Sequence, residues 1–236
     1  MVSSPLGPLT CLPSPRALET QSTVGSDIMP LPSLLLVALI LWAPLPGEAR
    51  AQGPTLLVLG DSLSAAYGLD TDEGWVSLLQ HRLEGQGSSY QVVNASISGE
   101  TTAGGLSRLP GLLETHRPQV LVIALGANDG LRGFAFDTIR ANLTRMIALA
   151  RGAGSRVLLA GIRLPPNYGA AYTEGFQAVF REVAAAEQVP LVPLLLAGVE
   201  GFDMMQADGI HPSAAAQGRI LDNVWAELAP LLETGP

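Results

Sequence analysis

The feature that most constrains the fold is an alternation that begins at Thr55 and runs almost to the C-terminus. Thr55–Gly60 (TLLVLG) is a short, wholly apolar run ending in glycine. Gln91–Ala95, Val120–Leu125, Arg156–Gly161 and Pro190–Leu194 repeat the pattern. Runs of this length suit strands buried on both faces of a parallel sheet. Between them the spacing turns helical: Ile139, Leu143, Met146, Ile147 and Ala150 fall on one stripe, and Ile220, Val224, Leu228 and Leu231 do so in the last segment. Strand–helix alternation at this interval predicts an α/β fold with a five-stranded parallel sheet covered by helices on both faces. In such sheets the ligand site lies outside the carboxyl ends of the strands. The residues just after each apolar run therefore carry the functional question.

Ahead of the alternation lies a different kind of segment. Residues 34–43 are ten consecutive apolar residues flanked by prolines and followed by Ala49-Arg50-Ala51. A bilayer-spanning helix needs roughly 20 such residues. A secretory apolar core needs about 7–15 before a small-x-small cleavage site, which is the better description. The expectation is a targeting segment over 1–51, cut near Ala51, and a single domain over 52–236. Export to the periplasm or the medium follows, with no stable membrane insertion after cleavage. Arg16 is the only positive side chain ahead of the apolar core, and Met29 stands just before it. Residues 1–28 thus read equally as sequence upstream of the true start.

Composition closes off several chemistries. The 13 basic residues are all Arg, with no Lys, against 21 acidic residues, and the net charge is −8. The absence of Lys excludes a Schiff-base mechanism and a Walker-type phosphate loop. No basic run exists to release counterions from nucleic acid, so no nucleic-acid partner is expected. The single Cys, Cys11, precedes the domain, which excludes a disulfide framework and cysteine-built metal sites within it. Nothing resembles a coiled coil, and a monomer is expected.

Four short blocks stand after the predicted strands or before the last helix. Gly60-Asp61-Ser62-Leu63-Ser64 follows the first strand. There Gly60 permits a tight turn, Ser62 projects a hydroxyl, and a helix behind it would offer N–H groups. Asp-Ser before a helix also reads as an ordinary N-cap. After the second strand, Gly99 presents a bare backbone N–H, or is a plain turn glycine. After the third, Asn128 in Gly126-Ala127-Asn128-Asp129-Gly130 offers a side-chain amide, or forms an Asx turn. Near the C-terminus Asp208 and His211 stand three apart before Pro212. That spacing lets the carboxylate orient the imidazole, and the imidazole can then take a serine proton. His81 and His116 have no acid at that spacing and read as solvated or packing residues. Together the blocks provide a nucleophile, oxyanion donors and a base–acid pair, which acyl transfer to water requires.

The four blocks resemble the signature blocks of the SGNH (GDSL) hydrolase superfamily. Val92–Glu100, Leu125–Phe134, Ile162–Gly169 and Asp208–Pro212 are similar to the periplasmic multifunctional arylesterase/acyl-CoA thioesterase I/lysophospholipase group, and the likeness covers residues 54–232. The resemblance implies a flavodoxin-like, three-layer α/β/α sandwich. It implies Ser62 as nucleophile, His211 as base and Asp208 as third triad member. Ser62, Gly99 and Asn128 would form the oxyanion hole. Loops 130–134 and 163–168 would shape the acyl site, through Leu131, Phe134, Leu164 and Pro165. It implies hydrolysis of aryl esters, acyl thioesters or lysophospholipids, with no cofactor and no metal. Ala66 and Ala127 stand where many relatives carry glycine. Two other readings are a carbohydrate O-deacetylase of the same superfamily and a binding module that has lost catalysis. The first is disfavoured by only 12 aromatic residues and no added module, the second by the presence of every catalytic position.

Overall fold

The computed structural model describes residues 53–233. The expected targeting segment and cleavage site, Met29 and Cys11 lie outside them.

Five parallel strands form one sheet: β1 (Thr55–Gly60), β2 (Gln91–Asn94), β3 (Val120–Ala124), β4 (Arg156–Ala160) and β5 (Leu191–Val192), in the order β2-β1-β3-β4-β5. Among the described residues six α-helices accompany them: α1 (Trp75–Gly85), α2 (Thr102–His116), α3 (Ala127–Leu131), α4 (Phe136–Gly152), α5 (Ala170–Glu187) and α6 (Ala214–Glu233). Strand pleat divides the apolar residues into two cores. Leu57 and Leu59 of β1, Leu121 and Ile123 of β3, and Val157 and Leu159 of β4 face α2, α4 and α5. Leu56 and Val58, Val120, Val122 and Ala124, and Leu158 and Ala160 face α1 and α6. The helical stripes read from sequence point inward: Ile139, Leu143, Met146, Ile147 and Ala150 are fully buried, as are Ile220, Val224 and Leu228. Removing one such Leu or Ile side chain to Ala would cost about 2–5 kcal/mol.

The edges depart from the sequence reading. β2 has no residue that is buried on both sides; its ends are exposed and its middle half-buried. Among the described residues it pairs only with β1, so its apolar residues meet a single partner strand. β5 shrinks from the five residues of the apolar run to two. Pro193 has no N–H to give to a ladder, and the chain leaves the sheet there.

The strand order places the site. From β1 the chain crosses one way to β2, then returns past β1 to β3. The loops after β1 and β3 therefore diverge and leave a crevice at the carboxyl edge.

Candidate active site

Ser62 stands two residues beyond β1, after the fully buried Asp61. No α-helix begins behind it, contrary to the sequence expectation. Ser64 N and Ala65 N donate to Asp61 O at 3.1 and 3.0 Å, which makes a single helical turn. Ala66 at φ 56° and Gly68 at φ 75° then send the chain into the left-handed region, and α1 starts only at Trp75. Ser62 thus has no helix dipole at its back. Gly60 also has a different reason from the one read in sequence. It is needed for packing, because a Cβ there would lie 2.8 Å from both Ser64 Oγ and Ser96 Oγ.

Asp208 and His211 form a closed unit. Asp208 Oδ1 accepts from the backbone N–H groups of Ile210 and His211 at 2.9 and 3.0 Å. Its Oδ2 lies 2.6 Å from His211 Nδ1. Hydrogen bonds from the His211 backbone and ring, and from Ile210, hold the Asp208 carboxyl down at about 2. A carboxylate on Nδ1 keeps the proton on that nitrogen and leaves Nε2 as an acceptor. His211 Nε2 lies 2.9 Å from Ser62 Oγ. The structure therefore brings Ser62, His211 and Asp208 into one continuous chain of hydrogen bonds.

The other two blocks converge on the same edge. Ile97 N donates to Gly60 O at 3.1 Å, which ties the loop after β2 to the end of β1. Gly99, at φ 80°, follows in that loop, and its carbonyl accepts from the Arg132 guanidinium at 3.2 Å. Among the described residues no protein group accepts from the backbone N–H of Ser62 or of Gly99. Asn128 lies in the first turn of α3, and its Nδ2 reaches Asp61 Oδ2 at 3.4 Å. That long bond orients the amide without using both of its hydrogens. Burial pushes the Asp61 carboxyl up to about 6, even though the Leu63 N–H at 3.0 Å and the Asn128 amide favour its anion.

Sequence reasoning missed a buried network beneath these donors. The fully buried Asp129 accepts from Thr102 N at 2.8 Å and from the Thr102 hydroxyl, which in turn accepts from Asn142 Nδ2 at 2.9 Å. This carboxylate joins the first turn of α2, which follows Gly99, to the helix that carries Asn128. The only sequence signal was an Asp placed next to Asn128 in an otherwise apolar and small-residue stretch.

A crevice of about 350 Å³ opens beside Ser62, Asn128 and His211. Leu131, Leu164 and Pro165 line it. Phe134 does not; it stands outside the wall, 40% exposed. Leu194, Leu196, Val199 and Met205, which the sequence reading left out, add a further apolar wall after β5. The continued apolar run past Pro193 was the sign of it. Tyr168 and Tyr172 donate their hydroxyls to the carbonyls of Leu131 and Gly130, so the wall after β4 is fastened to α3. His81 sits on an exposed face of α1 and His116 in the last turn of α2, and neither lines the crevice. No group of three metal-ligating side chains occurs among the described residues.

A hydroxyl, an imidazole and a carboxylate in series, beside unengaged N–H donors and an apolar slot, define a site suited to acyl transfer. Comparison with known proteins agrees with that class. The chain belongs to the GDSL-like lipase/acylhydrolase family, whose model matches residues 58–219, and it is a hydrolase of ester bonds of the SGNH type. It is 57% identical over 201 residues to the esterase TesA of Pseudomonas aeruginosa, across 85% of this chain and 99% of that one. It is 42% identical over 203 residues to thioesterase 1/protease 1/lysophospholipase L1 of Escherichia coli K12, across 86% and 93%. Among solved structures, the crystal structure of TesA superposes with a TM-score of 0.73 at 60% identity, across 75% of this chain and 99% of that one. Membership as an enzyme removes the reading of a binding module that has lost catalysis.

Proposed function

We propose that the protein is an exported serine hydrolase that cleaves carboxylic esters and thioesters through an acyl-enzyme. The observation that carries the reading is the 2.9 Å approach of His211 Nε2 to Ser62 Oγ, with Asp208 on the opposite ring nitrogen. Ser62 Oγ attacks the substrate carbonyl carbon while its proton passes to His211 Nε2. The carbonyl oxygen becomes an oxyanion and takes hydrogen bonds from Ser62 N, Gly99 N and Asn128 Nδ2. The imidazolium is stabilised by Asp208 and returns its proton to the departing alcohol or thiol. Water then repeats the sequence in reverse on the acyl-serine, with His211 again as base, and releases the acid.

The acyl group lies in the crevice against Leu131, Leu164, Pro165 and the apolar wall after β5. Aryl esters, acyl-CoA thioesters and lysophospholipids are the substrate classes, in keeping with the activities in the relatives' names. For a protein exported by residues 1–51, simple esters and lysophospholipids are the substrates it meets, because acyl-CoA stays in the cytoplasm. A fluorophosphonate probe should label the wild type at Ser62. Ser62→Ala and His211→Ala should each lower ester turnover by about 10⁴-fold or more, with the double variant little worse than either single. Multiplicative losses, or labelling that persists in Ser62→Ala, would contradict the reading. Turnover of lysophosphatidylcholine beside acetylated sugars separates the ester hydrolase from a sugar deacetylase.

A further inference from the structure

The reacting groups come from opposite ends of the domain. Ser62 follows β1, whereas His211 precedes α6, and neither loop alone fixes the distance between them. The segment bearing His211 is a narrow hairpin. Gln206 N donates to His211 O at 2.7 Å, Ser213 N donates to Met204 O at 2.9 Å, and Met205 pairs with Pro212 as an antiparallel bridge. Gln206 stands at its neck. One hydrogen of its side-chain amide goes to Pro212 O at 3.0 Å, within the hairpin. The other goes to Tyr67 O at 2.7 Å, in the loop after β1. Both donors of the amide are thereby used.

Tyr67 is the residue this contact holds in place. Its ring lies against the His211 imidazole, with centroids 4.4 Å apart and planes inclined at 37°. The backbone on either side of Tyr67 is bent to allow it. Ala66 adopts φ 56° and Gly68 φ 75°. A Cβ at residue 68 would collide with Gln206 Oε1. A non-glycine residue at positive φ costs about 1–3 kcal/mol and persists only where surrounding contacts enforce it. Leu69 N donating to Ala66 O at 3.0 Å is one such contact, and the amide of Gln206 on Tyr67 O is another.

We infer that Gln206 is a positioning residue that clamps the nucleophile loop to the histidine hairpin and keeps Tyr67 packed on the imidazole. This rests on Ser62 and His211 being nucleophile and base. Gln206 does not line the crevice and touches neither reacting atom. It acts by fixing the approach of Ser62 Oγ to His211 Nε2 and by holding an aromatic face beside the imidazolium that forms during attack.

Gln206→Glu tests this, since it preserves length and volume but replaces the one NH₂ group that serves both carbonyls with a carboxylate oxygen that repels them. With a short p-nitrophenyl ester, kcat should fall by about 10- to 100-fold, the typical consequence of misplacing reacting groups by an ångström or less. KM should stay within about threefold, because the acyl slot is untouched. The rate of fluorophosphonate labelling should fall in parallel with kcat. The double variant with Tyr67→Ala should be no more than about threefold below the worse single, as expected of residues that act as a unit. Melting curves establish that each variant is folded, and Gln206→Met serves if Gln206→Glu is not. Wild-type kcat and labelling in a folded variant, a raised KM at constant kcat, or multiplicative losses would each overturn the proposal. Ser62→Ala runs alongside: labelling that survives in it overturns the nucleophile assignment itself, independently of any Gln206 result.

Discussion

Asp61→Asn should make the protein more stable at neutral and alkaline pH. Asp61 is fully buried one residue before Ser62, and burial raises its carboxyl from an ordinary 3.8 to about 6 in the folded chain. A carboxyl whose folded value lies above its unfolded value binds more protons in the native state. Stability is therefore lost as pH rises from 3.8 through 6, and the loss is complete above that window. The gap corresponds to about 3 kcal/mol at pH 8, at 1.36 kcal/mol per pH unit. Asparagine has almost the same shape, keeps an oxygen for the Leu63 N–H, and carries no charge to desolvate. Urea melts of both proteins near pH 4 and pH 8 isolate the effect, because every other titrating group cancels in the difference. The variant should gain about 2.5 kcal/mol on the wild type between the two pH values, because part of the effect is already present at pH 4, whatever constant offset the substitution brings. A difference that stays level across that range, or that moves the other way, would refute the argument. The variant should also be a poorer enzyme. An amide at residue 61 meets the Asn128 Nδ2 with its own NH₂, so Asn128 turns its oxygen toward it and its donor away from the oxyanion. An ionised carboxyl kept in an apolar setting to aim a neighbouring amide is a stability cost borne at the site.

Asn128→Ala should lower kcat by about 10²-fold, at the low end for an oxyanion donor, because two backbone N–H groups remain, with KM little changed. Steady-state kinetics on one ester decide it, and a loss of only a few-fold would return Asn128 to a structural role. For the N-terminus, mass spectrometry of the exported protein should find the chain beginning at or within a few residues of Gln52. Intact residues 1–51 on a membrane-bound protein would refute cleavage.

The sequence alone determined the parts of this protein that depend on local pattern. The apolar runs at β1, β3 and β4 read as interior strands, because four or five consecutive apolar residues between turn residues have no solvent face to offer. The stripes in α4 and α6 gave their buried faces for the same reason of period. The four blocks were legible as candidates because acyl transfer needs particular residue types just after strands, and Asp208 to His211 is a contact within one turn. Tertiary structure decided what depends on residues far apart in the chain. β2 became half-exposed because the strand order put it at an edge; its polar ends, Gln91 and Asn94, are the exposed residues, but the edge position is set by the other strands. The turn after Ser62 does not continue as a helix, since Ala66 and Gly68 take positive φ, and the carbonyl between them is met by Gln206, some 140 residues later. The carboxyl of Asp61 is perturbed by burial, the Asp129–Thr102–Asn142 network joins three separate segments, and Phe134 fell outside a crevice that residues beyond β5 help to wall. Each of these rests on which distant groups share a space, and only the folded chain determines that.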